Sequence, residues 1–113
     1  MQSQSGPIPG TSAIKTSTST TAETTNVFVP NIGEVWQVMA MSMLPAGSGS
    51  HRGIGSLGDG TNSVELFDQS GTGTAESLNY DTPIYITSDV YLRFTVVTVD
   101  TSLTLKAAVV RVR

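Results

Sequence analysis

Two long apolar runs near the end of the chain, Val90 to Asp100 and Leu103 to Val112, restrict its folding more than any other feature. Val90-Tyr91-Leu92-Arg93-Phe94-Thr95-Val96-Val97-Thr98-Val99 is rich in β-branched and aromatic residues and has no internal Gly or Pro, the pattern of a strand. One face carries Leu92, Phe94, Val96 and Thr98; the other carries Tyr91, Arg93, Thr95, Val97 and Val99. Asp100-Thr101-Ser102 supplies turn chemistry, because short polar side chains bond the local backbone. The return run sets Leu103, Leu105, Ala107 and Val109 against Thr104, Lys106, Ala108 and Val110. Two strands this long need a second layer over their apolar face.

The remainder of the chain reads as shorter strands between turn signals. Asn26 to Val29 is a short strand ended by Pro30. Glu34 to Leu44 (EVWQVMAMSML) carries Trp36, Val38, Ala40, Ser42 and Leu44 on one side and Val35, Gln37, Met39, Met41 and Met43 on the other. A helix competes for this run, but Pro30, Gly33, Pro45 and Gly47 bracket it and favour a strand. Ser50 to Leu57 is a strand thinned by Gly53 and Gly55, which point to a bulge or a close backbone approach. Gly58-Asp59-Gly60-Thr61-Asn62 is a turn, and Ser63 to Asp68 returns from it. Ser70 to Thr74 reads as a loop tip, Ala75 to Asn79 as a short strand, Tyr80 to Pro83 as a turn and Ile84 to Thr87 as a strand. About eight strands with regular turn signals predict an all-β antiparallel sandwich or small barrel.

The N-terminal part differs in composition. Met1 to Gly10 holds Pro7-Ile8-Pro9 and little other apolar mass, which predicts an extended arm. Thr11 to Asn26 is dominated by Ser and Thr. It is either a linker or, through the β-preference of Thr around Ile14, an edge strand on this domain or a neighbouring subunit. The expected organisation is an extended arm over 1–26 and a sandwich domain over 27–113.

Charge and chemistry narrow the function. Of 113 residues, 13% are charged, about half the usual share. Six scattered Lys and Arg argue against a nucleic-acid footprint. The chain has no cysteine, so disulfides and thiolate metal sites are excluded. No run is apolar enough to span a bilayer, and no basic and apolar leader opens the chain, so synthesis without a secretory signal is expected. His51, the single histidine, lacks spaced metal-ligand partners and reads as an exposed loop residue. Gly53 to Gly58 spells GxGxxG without a βαβ context, so turn and bulge glycines are expected rather than a phosphate loop. Asp59, Asp68, Asp81 and Asp89 read as turn caps. No catalytic residue, cofactor or metal is expected. Trp36 reads as core, and Tyr80 as the best exposed aromatic for stacking on a sugar ring.

The row Met39, Met41 and Met43 stands out. With Trp36, Val38 and Ala40 facing inward it would form an outward apolar patch, the mark of an interface. With the opposite assignment it fills the core. A neutral, hydroxyl-rich surface also suits burial against another neutral surface. The residues expected at an interface are therefore Pro7, Ile8, Pro9, Ile14, Met39, Met41 and Met43.

The segment Gly33-Glu34-Val35-Trp36-Gln37-Val38, with Pro83 to Thr87 and Tyr91-Leu92-Arg93-Phe94 behind a Ser/Thr-rich arm, resembles the strand pattern of the small head decoration or cement proteins of tailed bacteriophages. The resemblance implies a jelly-roll-like β-sandwich without catalysis. It also implies a homodimer or homotrimer that binds the major capsid protein at capsomer junctions, away from nucleic acid and membrane. Such a protein is made in the host cytoplasm and resides on the virion surface. The competing expectation is a receptor- or carbohydrate-binding module of a tail fibre or spike, suggested by the Gly/Ser-rich loops at 45–53 and 68–77 and the nearby tyrosines.

Overall fold

The computed structural model describes residues 12–78 and 83–113. It contains nine strands: β1 Ser12–Ser19, β2 Thr24–Phe28, β3 Trp36–Ala46, β4 Ser50–Gly58, β5 Ser63–Thr72, β6 Glu76–Leu78, β7 Ile84–Ile86, β8 Tyr91–Thr98 and β9 Ser102–Arg111. Sheet I has the order β1-β9-β3-β6, with β7 also on β3; sheet II has the order β2-β8-β4-β5. Every pairing is antiparallel.

The pairs nest. β1 meets β9, β2 meets β8, β3 meets β6 and β7, and β4 meets β5. The chain is thus one long antiparallel ribbon, and successive pairs along it fall in alternate sheets. This is jelly-roll topology, with β6 and β7 sharing the place of one strand along β3.

The two C-terminal strands depart from a simple hairpin. β8 lies in sheet II and β9 in sheet I, so the turn between them crosses from one layer to the other. Each strand has an apolar row and packs it inward. Leu92, Phe94 and Val96 face Leu103, Leu105, Ala107 and Val109 across a shared core. The expected faces are observed along β9 and along β8 as far as Val96, beyond which Thr98 is exposed and Val99 packs against the core; the partners of both strands are different. The Asp100 turn is held by Gly49 N–H donating to Asp100 Oδ2 at 3.1 Å, which anchors the β8–β9 crossing to the β3–β4 loop.

β1 and β2 account for the described part of the segment expected as an arm. Alternation of Ala13, Lys15, Ser17 and Ser19 with the more exposed Ser12, Ile14, Thr16 and Thr18 lets β1 pair with β9 throughout. Residues 12–26 thus contribute an edge strand to sheet I and most of an edge strand to sheet II. The sandwich extends N-terminally past residue 27.

A bulge in β3 divides the methionine row. Val38 pairs with Val109 and Ala40 with Ala108, so Met39 has no partner on β9. One extra residue inverts the alternation beyond it. Trp36 and Val38 point inward before the bulge, and Met41 and Met43 point inward after it. The outward patch of three methionines is corrected accordingly: Met41 and Met43 belong to the core, and Met39 alone is exposed.

Gly53 and Gly55 of β4 face the interior at the expected bulges, between Arg52 and Gly53 and between Gly55 and Ser56. Side chains at these positions would collide with Met43, Phe94 and Phe67. The glycines give room to the Phe67 and Phe94 rings, whose centroids lie 6.4 Å apart. At one end of the sandwich, Glu34 is 2% exposed. It accepts from Trp36 Nε1 at 2.9 Å and Asn31 Nδ2 at 3.0 Å, with Arg111 Nε 3.9 Å away. Backbone bonds between Val35 and both Val112 and Arg113 close that end.

Candidate interface

Strand register defines the outer face of sheet I. Ile14, Ala108 and Ala40 form one cross-strand row. Thr16, Lys106, Ser42 and Ser77 form the next, and Thr18, Thr104 and Leu44 the one after. On the other side of the Ile14 row stand Ser12, Val110, Gln37 and Tyr85. Lys106 is the single charged side chain in these four rows. The Thr18 and Thr104 hydroxyls bond each other at 2.7 Å, so part of the polarity is satisfied within the face.

The middle of this face is a shallow depression of about 460 Å³. Ala40 and Ala108 form its floor, and Ile14, Ser42, Ser77 and Lys106 surround it. Ile14 is 63% exposed, and Met39, beside Ala40, and Tyr85 are each 52% exposed. Small residues on the floor and larger apolar residues beside them allow another backbone to approach closely.

The outer face of sheet II is different. Arg52 and Asp68 form a two-pronged ion pair there, with Nε–Oδ1 at 2.8 Å and Nη2–Oδ2 at 2.6 Å. Glu65 and Arg93 flank it through Ser56. The hydrogen bonds from Arg52 hold the Asp68 carboxyl below the ordinary carboxylate range, and the Asp68 partner raises Arg52 in turn. In the β4–β5 turn, backbone N–H groups of Asn62 and Thr61 lower the Asp59 carboxyl. This is the turn-capping role expected of Asp59.

Ile14 and Met39 are brought together on sheet I, one strand apart across β9. Met41 and Met43 lie beneath them in the core, and Pro7, Ile8 and Pro9 lie outside the described residues, as do Tyr80 and Asp81. Nothing in the sequence marks Ala40, Ala108, Thr104 and Val110 as interface residues. The alternation of β9 already placed Thr104, Ala108 and Val110 on one side, but only the sandwich shows that this side is the outer one.

His51 is corrected from an exposed loop residue to a buried one, 2% exposed in β4. Its Nε2 donates to Glu76 of β6, with Oε1 at 2.8 Å and Oε2 at 3.0 Å, and its Nδ1 is buried without a partner. Gly71 leaves space for the pair, since a side chain there would strike both residues. Among the described residues, no group of three His, Cys, Asp or Glu is placed to hold a metal ion. The six-residue glycine pattern over 53–58 lies within β4 and its end, where its glycines serve packing. Comparison with protein-family models, curated proteins and solved structures finds no match to this chain.

Proposed function

We propose that this chain is a structural subunit of a larger protein assembly, a virion decoration protein that docks through the outer face of sheet I. The observation that carries the reading is a sheet face four strands wide whose rows hold one charged side chain, with Ile14, Met39 and Tyr85 exposed on or beside it. Desolvating hydroxyls that can re-pair across a contact costs far less than desolvating charges. Jelly rolls serve in capsids and lectins alike, so topology does not choose between them. A broad, shallow face with one charged side chain favours docking on protein over enclosure of a sugar. The partners in this reading are a major capsid protein and further copies of the chain.

The test introduces a charge into the face. Ala108→Arg would bury an unpaired guanidinium at the contact, and Thr95→Arg, on the outer face of sheet II, is the control. Binding is followed by co-sedimentation with capsid particles. The expected outcome is a loss of about 100-fold or more for Ala108→Arg and little change for Thr95→Arg. Equal binding by both variants, or no co-sedimentation of the unmodified protein, overturns the proposal.

A further inference from the structure

A second surface lies on the open side of the sandwich, where β1 ends sheet I and β2 ends sheet II. Between the two strands runs a cleft of about 520 Å³. Lys15, Ser17, Val27, Phe28, Val29 and Trp36 line it. Lys15 lies over the Trp36 ring at 4.8 Å from its centroid, so the one cation of β1 is engaged at the cleft wall. Val27 is 53% exposed.

β1 is the long open edge of sheet I, and its one charge, Lys15, is drawn onto the Trp36 ring. An exposed strand edge invites another strand, and proteins normally blunt it with charge, proline, bulges or brevity. The opposite edge of sheet I consists of β6 and β7, three residues each. The opposite edge of sheet II, β5, carries Glu65 and Asp68 and a register shift against β4. β1 runs for eight residues without Pro, bulge or acidic residue.

We propose that the cleft and the free edge of β1 receive residues 6–10 of a second copy, Gly-Pro-Ile-Pro-Gly, as an added strand. Residues 1–11 carry no charged side chain, so seating part of them beside Lys15, Ser17 and the apolar residues of the cleft desolvates no further charged side chain. Backbone groups of alternate residues point to opposite sides of a strand. With Ile8 bonded to β1, Pro7 and Pro9 face away, where no donor is required, and the added strand ends the sheet. Ile8 is the one large apolar side chain of the pentapeptide.

The chain's own segment fits this place poorly. A two-residue reversal at Gly10-Thr11 sets Pro9 opposite Ser12 and Pro7 opposite Ile14. These are the positions that must exchange bonds next to such a turn, and both lack the N–H. A three-residue reversal sets Ile8 opposite Ser12, three residues or about 10 Å short of Lys15. A neighbouring copy has neither restriction. The proposal is independent of what the outer face of sheet I binds.

The chain has no cysteine, so engineered pairs report cleanly. A full-length chain with Ile8→Cys is mixed with a differently tagged chain carrying Val27→Cys, oxidised, and run on a non-reducing gel. Ser17→Cys, also in the cleft wall, is a second target should Val27→Cys fold poorly. Val64→Cys, on the opposite edge, is the control. The expected result is a mixed disulfide between tagged species at a yield at least about tenfold above that with Val64→Cys, since a seated segment has a high local concentration. Equal yields at cleft and control positions overturn the proposal. So does a double variant, Ile8→Cys with Val27→Cys, that closes only within one chain.

Discussion

His51 on sheet II and Glu76 on sheet I are joined by hydrogen bonds of 2.8 and 3.0 Å, a polar link between the two layers. The imidazole is almost wholly buried, and the carboxylate retains partial contact with water. Replacing His51 by Ala removes a packed ring and leaves Glu76 without its donor. The expected cost is about 2–4 kcal/mol, from the cavity and the lost bond together. Glu76→Gln keeps an acceptor oxygen and is expected to cost about half as much or less. Urea unfolding of the two variants checks both values, and a His51→Ala variant as stable as the unmodified chain would show the link to be dispensable.

Gly55 leaves its Cβ position to the Phe67 ring. Gly55→Ala therefore forces the ring or strand β4 to shift, with an expected loss of about 3 kcal/mol or more. Phe67→Leu in the same chain is expected to recover part of that loss, because the two residues occupy one space. A double-mutant cycle measures the coupling. Strictly additive effects would contradict the packing described.

The methionines of β3 are expected to behave as two classes. Met43 is fully buried, and Met43→Ala is expected to cost about 2–4 kcal/mol. Met39 stands at the bulge, half exposed, and Met39→Ala is expected to change stability by less than about 0.5 kcal/mol. Mild peroxide should convert Met39 to its sulfoxide before Met41 or Met43, as peptide mass mapping would show.

Acid should weaken the fold through Asp68 and Asp59. Both carboxyls sit below their ordinary range in the folded chain, Asp68 through Arg52 and Asp59 through the Asn62 and Thr61 amides. A depressed carboxyl contributes its full stabilisation above the unfolded value of about 4 and loses it as the pH falls through the folded value. Arg52 remains charged throughout. Both carboxyls are exposed, so solvent screening keeps the effect small. Asp68→Asn is expected to lower the urea midpoint at about pH 6 and to reduce the further fall between there and about pH 2.5. The comparison fails if the variant and the unmodified chain fall equally.

Much of this architecture was legible in local pattern. The inward rows of β8 and β9, the Asp59 turn, the bulge glycines of β4 and the core role of Trp36 each follow from alternation, turn chemistry or glycine placement over a few residues. The burial of His51 was not legible, because its partner Glu76 lies 25 positions away on another sheet. Glu34 carried a faint signal: two residues before Trp36, it shares the indole's inward side.

Alternation and turn residues alone determined that the described residues fold as β-strands without helix and where most of those strands begin and end, since those properties depend on neighbours in sequence. Only the tertiary structure decided that β8 and β9 part into different sheets, that Ser12 to Ser19 closes an edge, and that one unpaired residue turns Met41 and Met43 inward. Strand partners and bulges are settled by which apolar rows can meet across a shared interior, and that competition involves segments far apart along the chain.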